Sequence, residues 1–296
     1  MYREITENKR NSWILICTVT AVLLVLGYFV GENWGNGYAG MILAIIVATI
    51  ASLSAYYGGD KMILTMSRAK RIEKKDYPQL FNVVEELTIA AGLPVPAIYV
   101  IDDTAPNAFA TGRDPEHASV AITTGLMQKL NRDELQGVMA HEMSHVQNRD
   151  ILFAMMVGIM VGSIVLVSDF FLRSFFWGGG RRKRRSDKGG GGAIILIVAI
   201  VLAIFAPIFA KLLQLAVSRQ REYLADASAA KLTRYPEGLA SALEKISGDR
   251  EVLEVANRAT QHLYIVNPIK PFEKRAKGLF STHPPIEERV TRLRSM

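Results

Sequence analysis

Two charge-free stretches, Trp13–Val30 and Ala39–Tyr57, joined by the short turn Gly31-Glu32-Asn33-Trp34-Gly35, constrain this chain more than any other feature. A bilayer core about 30 Å thick calls for roughly 20 apolar residues of helix, and backbone polar groups in lipid must be satisfied within the segment. A tight helical hairpin meets both conditions. Two further apolar runs follow later. Leu152–Leu172 carries only Asp169, near its far end, and Ala193–Val217 carries Lys211 and Gln214, with Pro207 a candidate kink. With 50% of its 296 residues hydrophobic and a mean hydropathy of +0.17, the chain has room for one soluble domain plus membrane segments.

Arg3, Lys9 and Arg10 resemble the basic start of a signal peptide, but Leu26-Gly27-Tyr28-Phe29-Val30 offers no small-residue cleavage site and a second apolar stretch follows at once. An uncleaved anchor is expected. The single cysteine, Cys17, lies inside it, so a cysteine metal site is excluded and the side chain reads as a small apolar group. Cations orient the hairpin. Arg3, Lys9 and Arg10 precede it, Lys61, Arg68, Lys70, Arg71, Lys74 and Lys75 follow it, and the turn has no cation. Both ends, and the domain from Arg68 onward, are therefore expected in the cytoplasm. The loop between the later runs holds Arg173, Arg181-Arg182-Lys183-Arg184-Arg185 and Lys188 among glycines. If both runs span, this loop crosses against the positive-inside rule; if not, they form a hydrophobic hairpin that dips into the membrane or packs on the domain. We expect spanning, and either alternative returns Arg219 to the side of Asp150. The basic run has no interleaved aromatics, so lipid headgroups or solvent rather than nucleic acid are its expected surroundings.

The chemistry is concentrated in His141-Glu142-Met143-Ser144-His145. On a helix, positions i and i+4 share a face, so both histidines can bind one metal ion. The intervening Glu142 can reach a water on that ion and act as general base, as in zinc peptidases. Asn131-Arg132-Asp133-Glu134 supplies a helix start of the capping-box type, and Leu135, Val138, Met139, Met143 and Val146 recur at helical spacing. Polar residues flank the motif on both sides, placing it outside the hydrocarbon rather than within a membrane helix. A transporter or channel would need polar groups inside its spans, and these have almost none. A non-catalytic zinc-binding scaffold would tolerate loss of Glu142, yet the whole set is present.

A catalytic zinc site usually has three protein ligands. A third histidine in the metzincin pattern would require Gly at position 148 and His at position 151, where the chain has Asn148 and Ile151. The segment from Ser218 to Asp226 offers Glu222 and Asp226 at i, i+4. Glu222 is the expected third ligand, with Asp226 holding a ligand histidine from behind. An oxyanion needs a donor near the metal, and His283 and Arg289 are the candidates, His283 alternatively anchoring the last helix. His117 and His262 read as surface residues.

Ala97–Ile101, Asn107–Gly112 and Ser119–Thr123 are short β-prone runs separated by turn-rich segments, which suggests a small antiparallel sheet ahead of the motif helix. Asn107-Ala108-Phe109-Ala110-Thr111-Gly112 is the candidate edge strand for binding an extended peptide by its backbone. The motif HEMSH, the apolar runs around a Gly- and Arg-rich loop, the segment SRQREYLADASA, the run from Asn107 to Gly112 and Ser281-Thr282-His283-Pro284-Pro285 together resemble the HtpX membrane metalloproteases, relatives of the CAAX-prenyl endoproteases. The resemblance covers nearly the whole chain and shows no departure at these positions. It implies one zinc ion per chain on His141, His145 and Glu222, with Glu142 as catalytic acid/base. It also implies a role in membrane-protein quality control at a bacterial inner membrane. The expected architecture is a mainly helical α+β, zincin-like domain anchored by transmembrane helices: an N-terminal hairpin over 1–60, protease segments over 61–150 and 218–296, and a second helix pair over 151–217. Its expected substrates are membrane proteins or unfolded polypeptides; the oligomeric state is left open.

Overall fold

The computed structural model describes residues 2–33, 35–159, 219–254, 260, 263–266 and 284–296. Most of the second pair of apolar runs, their basic loop, His262 and His283 lie outside the described residues. The chain opens with helix α1 (Tyr2–Asn33) packed along α2 (Gly37–Met66). Asn36 starts α2 by accepting the Ala39 N–H at 3.0 Å. Both helices outrun their apolar stretches, α2 continuing past Asp60 and Lys61 into the domain. A Cβ added at Gly40 would overlap the Gly27 carbonyl oxygen, so glycine at both positions is what lets the backbones approach this closely. Among the described helices α2 alone is long and apolar enough to cross a membrane, and only 17% of its most apolar window is buried. Ile42, Ile46, Ile50 and Leu53 point outward from it.

Four strands follow: β1 (Lys70–Arg71), β2 (Ala97–Ile101), β3 (Ala108–Gly112) and β4 (Ala118–Thr123). Their order is β1-β2-β4-β3, and the sheet is mixed rather than antiparallel as expected. β3 and β4 form an antiparallel hairpin around residues 113–117, but β4, not β3, docks on β2. Because the hairpin reverses the chain, β4 runs parallel to β2. β1, two exposed basic residues antiparallel to β2, carries no hydrophobic alternation by which a sequence would disclose it.

Helices α3 (Pro78–Ala91), α4 (Thr124–Lys129), α5 (Arg132–Gln147), α6 (described over Asp150–Ile159), α7 (Arg219–Thr233), α8 (Pro236–Gly248) and α9 (Ile286–Arg294) complete the described chain. The period of two along each strand splits the sheet between two cores. Ile98, Val100, Ala108, Ala110, Val120 and Ile122 face the core built with α3, α5, α7, α8 and α9. Ile101, Phe109 and Ala121 face a second core with Leu15, Val19 and Val22 of α1, Ile63 and Leu64 of α2, and Phe153, Met156 and Val157 of α6. The sheet thus joins the domain to the hairpin. At the start of α5, the Asn131 side chain accepts the Glu134 N–H and Glu134 accepts the Asn131 N–H, both at 2.9 Å. Glu134 also accepts from Ser241 at 2.6 Å and Lys245 at 2.7 Å, which fixes α5 against α8.

Gly40→Val should force the hairpin apart, at a cost of about 1–3 kcal/mol for overpacking, and lower the thermal midpoint of the detergent-solubilised chain. An unchanged midpoint would mean that the two helices do not cross this closely.

Candidate metal centre

Four turns of α5 present His141 and His145 on one face, their Nε2 atoms 3.2 Å apart and their rings nearly perpendicular at 87°. Glu222, near the start of α7, brings Oε2 to 3.7 Å from His141 Nε2 and Oε1 to 3.7 Å from His145 Nε2. One ligand atom from each of the three residues lies within 4.8 Å of the others. Two nitrogens bound tetrahedrally at zinc's usual 2.0–2.1 Å would be about 3.3 Å apart. The spacing fits a single ion.

Each imidazole is held at its other nitrogen by a carboxylate. His141 Nδ1 lies 3.0 Å from Asp226 Oδ1, and His145 Nδ1 lies 3.0 Å from Asp150 Oδ2. Ionised carboxylates only accept, so Nδ1–H donates in both rings and the Nε2 lone pairs are turned toward one another. Two lone pairs at that distance repel unless a proton or a cation lies between them. Burial holds His141 below the usual imidazole range, assisted by Arg289 and opposed by Asp226. For His145 burial acts in the same direction, but the bond to Asp150 and the charges of Glu222 and Glu142 overcome it and push the ring up to about 9. Burial pushes Glu142 up to about 7; Glu222 adds to this, while His145, the Ala110 N–H and Arg289 oppose it.

Arg289, on α9, is 0% exposed. Its Nε and Nη2 bond the two oxygens of Asp226 at 2.8 and 2.7 Å, and Nη1 is 3.5 Å from Glu222 Oε2. The guanidinium therefore stands behind the candidate ligands, against Asp226, which aligns His141, and against Glu222. The segment Asn107–Gly112 occupies the outer edge of the sheet. Asn107 Nδ2 donates to the Val266 carbonyl at 2.9 Å, the Ala108 carbonyl accepts the Ile265 N–H at 3.0 Å, and the Ala110 N–H faces the Glu142 carboxylate and favours its charged form. Phe109 meets Tyr264 edge-on, and Thr111 and Gly112 are buried at the strand's end. His117 is a surface residue, half exposed and bonded to Asp114; His283 lies outside the described residues.

Asp150 was not singled out in the sequence. On a continuous helix it would lie well around the cylinder from His145, but the chain breaks at Arg149, whose φ of 58° is left-handed. That turn brings Asp150 back beside the ring. The acid just after the motif was visible; the break was not.

The profile of peptidase family M48 matches residues 74–296, well over half of the chain. The chain belongs to peptidase family M48. It is a metalloprotease. The protease HtpX homolog of Dictyoglomus turgidum is 47% identical over 295 residues, covering 100% of this chain and 94% of that protein. The protease HtpX homolog of Listeria monocytogenes is 42% identical, with 100% of both covered. Among solved structures, S. mikatae Ste24p shares the fold, with a TM-score of 0.52 at 20% identity over 99% of this chain and 67% of that one. The M48 match includes both histidines, Glu142 and Glu222.

Because His145 is pushed up to about 9 in the metal-free protein, a divalent metal binding near neutral pH must displace its proton. Affinity should then rise with pH toward that value, with about one proton released from this ring per ion. Calorimetric titration in buffers of different ionisation enthalpy measures this. Binding without proton release would contradict the assigned electrostatics.

Proposed function

We propose that this M48 peptidase is a membrane-anchored zinc endopeptidase that cleaves misfolded or damaged membrane proteins, in the manner of proteolytic quality control. One zinc ion is held by His141, His145 and Glu222, and Glu142 is the general base. The observation that carries this reading is the pair of Nε2 atoms 3.2 Å apart with Glu222 closing the third side and Glu142 buried beside them. When bound, zinc supplies Lewis acidity that polarises the scissile carbonyl and acidifies water.

The chain's own groups do the rest. Glu142, with its pKa near neutrality in the metal-free protein, can take a proton from the attacking water at its carboxylate and hand it to the leaving amine. Asp226 holds the His141 tautomer, and Arg289 neutralises Asp226 and steadies Glu222. Arg289 thereby acts through the ligands rather than as the oxyanion donor, a part for which His283 remains our candidate. β3 is the substrate-binding strand, because its Ala110 N–H touches Glu142. By strand alternation the Ala110 and Gly112 carbonyls face the same way as that of Ala108, toward the edge. A substrate backbone can pair there from Ala110 onward, whereas Ala108 is already taken by Ile265. Backbone pairing reads little sequence, which suits unfolded substrates. A motif helix beside a sheet edge is the zincin-like arrangement.

We place the catalytic domain on the cytoplasmic face of a bacterial inner membrane, with the α1–α2 hairpin spanning and the second apolar pair adding further spans. α2 has the length and apolar surface of a span, and the exposed Arg68, Lys70, Arg71 and Lys74 follow its end. Substrates are then reached at the membrane surface.

Glu142→Gln should retain one bound zinc and lose cleavage of an unfolded protein by on the order of 10²–10⁴-fold, the usual contribution of a general base. Equal cleavage would remove Glu142 from the mechanism. Absence of cleavage by the parent, despite bound zinc, would favour a non-catalytic zinc-binding scaffold.

A further inference from the structure

Each ligand histidine is aligned from behind by a carboxylate, and the two carboxylates come from different parts of the chain. Asp226 lies one turn along α7 from Glu222 and is gripped by Arg289. The carboxylate behind His145 is Asp150, the first residue of α6, outside both motifs that define the site. We propose that Asp150 is a positioning residue that fixes the ring and tautomer of His145. This rests on the zinc reading above.

Several observations hold Asp150 in that role. It is 7% exposed, with Oδ2 at 3.0 Å from His145 Nδ1 and Oδ1 at 3.8 Å from Arg221 Nε. Arg221 adjoins Glu222 in sequence, and its guanidinium lies over the Phe153 ring at 5.4 Å. Behind Asp150, α6 is packed into the core: Phe153, Met155, Met156 and Val157 are all buried. Met155 and Ile159 press on α2 at Gly59, where an added Cβ would stand 2.6 Å from Ile159 Cδ1 and 3.0 Å from Met155 Sδ. His145 is thus set by α5 at its backbone and by α6 at its Nδ1, with the left-handed Arg149 between them. Metal ligands whose second nitrogen is held by a carboxylate gain basicity and a single ring orientation; loss of such a partner typically weakens metal binding or activity by about 10–100-fold.

The test uses the full-length, zinc-loaded chain in detergent. Zinc transfer to excess chelating dye is timed for the parent, Asp150→Ala, Asp150→Asn and Leu152→Ala, the last a packing control within α6. The visible absorption of the cobalt-substituted proteins and their thermal midpoints are recorded alongside. Asp150→Ala should release zinc on the order of 10–100-fold faster than the parent, with a shifted cobalt spectrum. Asp150→Asn keeps an acceptor of the same shape, so it should fold even if the alanine variant does not and should release zinc at an intermediate rate. Leu152→Ala should lower the midpoint and leave zinc release and the cobalt spectrum at parental values. Parental zinc release and spectrum in a folded Asp150→Asn or Asp150→Ala protein would overturn the inference, as would equal acceleration by Leu152→Ala. A parent that binds no zinc would instead remove the zinc reading and this inference with it.

Discussion

Two imidazole nitrogens face each other at 3.2 Å, with the carboxylates of Glu142, Asp150, Glu222 and Asp226 around them and little solvent reaching the group. Burial of so much negative charge is costly unless it is paired. Arg289 pairs part of it, through two bonds to Asp226 and a contact with Glu222. Glu222 faces the space between the two Nε2 atoms, and a single divalent cation there would satisfy both lone pairs and that carboxylate together. The push of His145 to about 9 expresses the same demand in the metal-free protein, where a proton takes the cation's place.

The fold supplies that group from separate directions. α5 is pinned at its start by the Asn131–Glu134 capping box and by the bonds of Glu134 to α8. α7 brings Glu222 and Asp226 together, and α9 adds Arg289. α6 adds Asp150 and leads toward the apolar run. The sheet, shared by two cores, puts β3 against Glu142 on one face and Phe109 against the hairpin-side core on the other. β3, the helix that carries Glu142 and the α1–α2 hairpin are consequently parts of one packed unit.

The reach of the sequence follows the range of each interaction. The motif helix and its cap were legible because capping and i, i+4 spacing are local, and the β-prone runs fell within a residue of β2, β3 and β4 because alternation is local too. Strand partnership is not local. The placement of β4 beside β2, which makes the sheet mixed, depends on how the chain crosses from Ile101 to Asn107, and no side-chain pattern records that. Asp150 depended on a left-handed residue at Arg149, where a non-glycine gives no warning. Arg289 could be seen as a cation near the site, but only its contact with Asp226, 63 residues away, fixes which groups it touches.

The most direct measurement is zinc-edge X-ray absorption on the purified, zinc-loaded chain. This account predicts one zinc per chain with two imidazole nitrogens and oxygen ligands at about 2.0–2.2 Å and no sulfur, the imidazole signal dropping by half in His145→Ala. Zinc in an all-oxygen shell, or an imidazole signal untouched by that substitution, would contradict it.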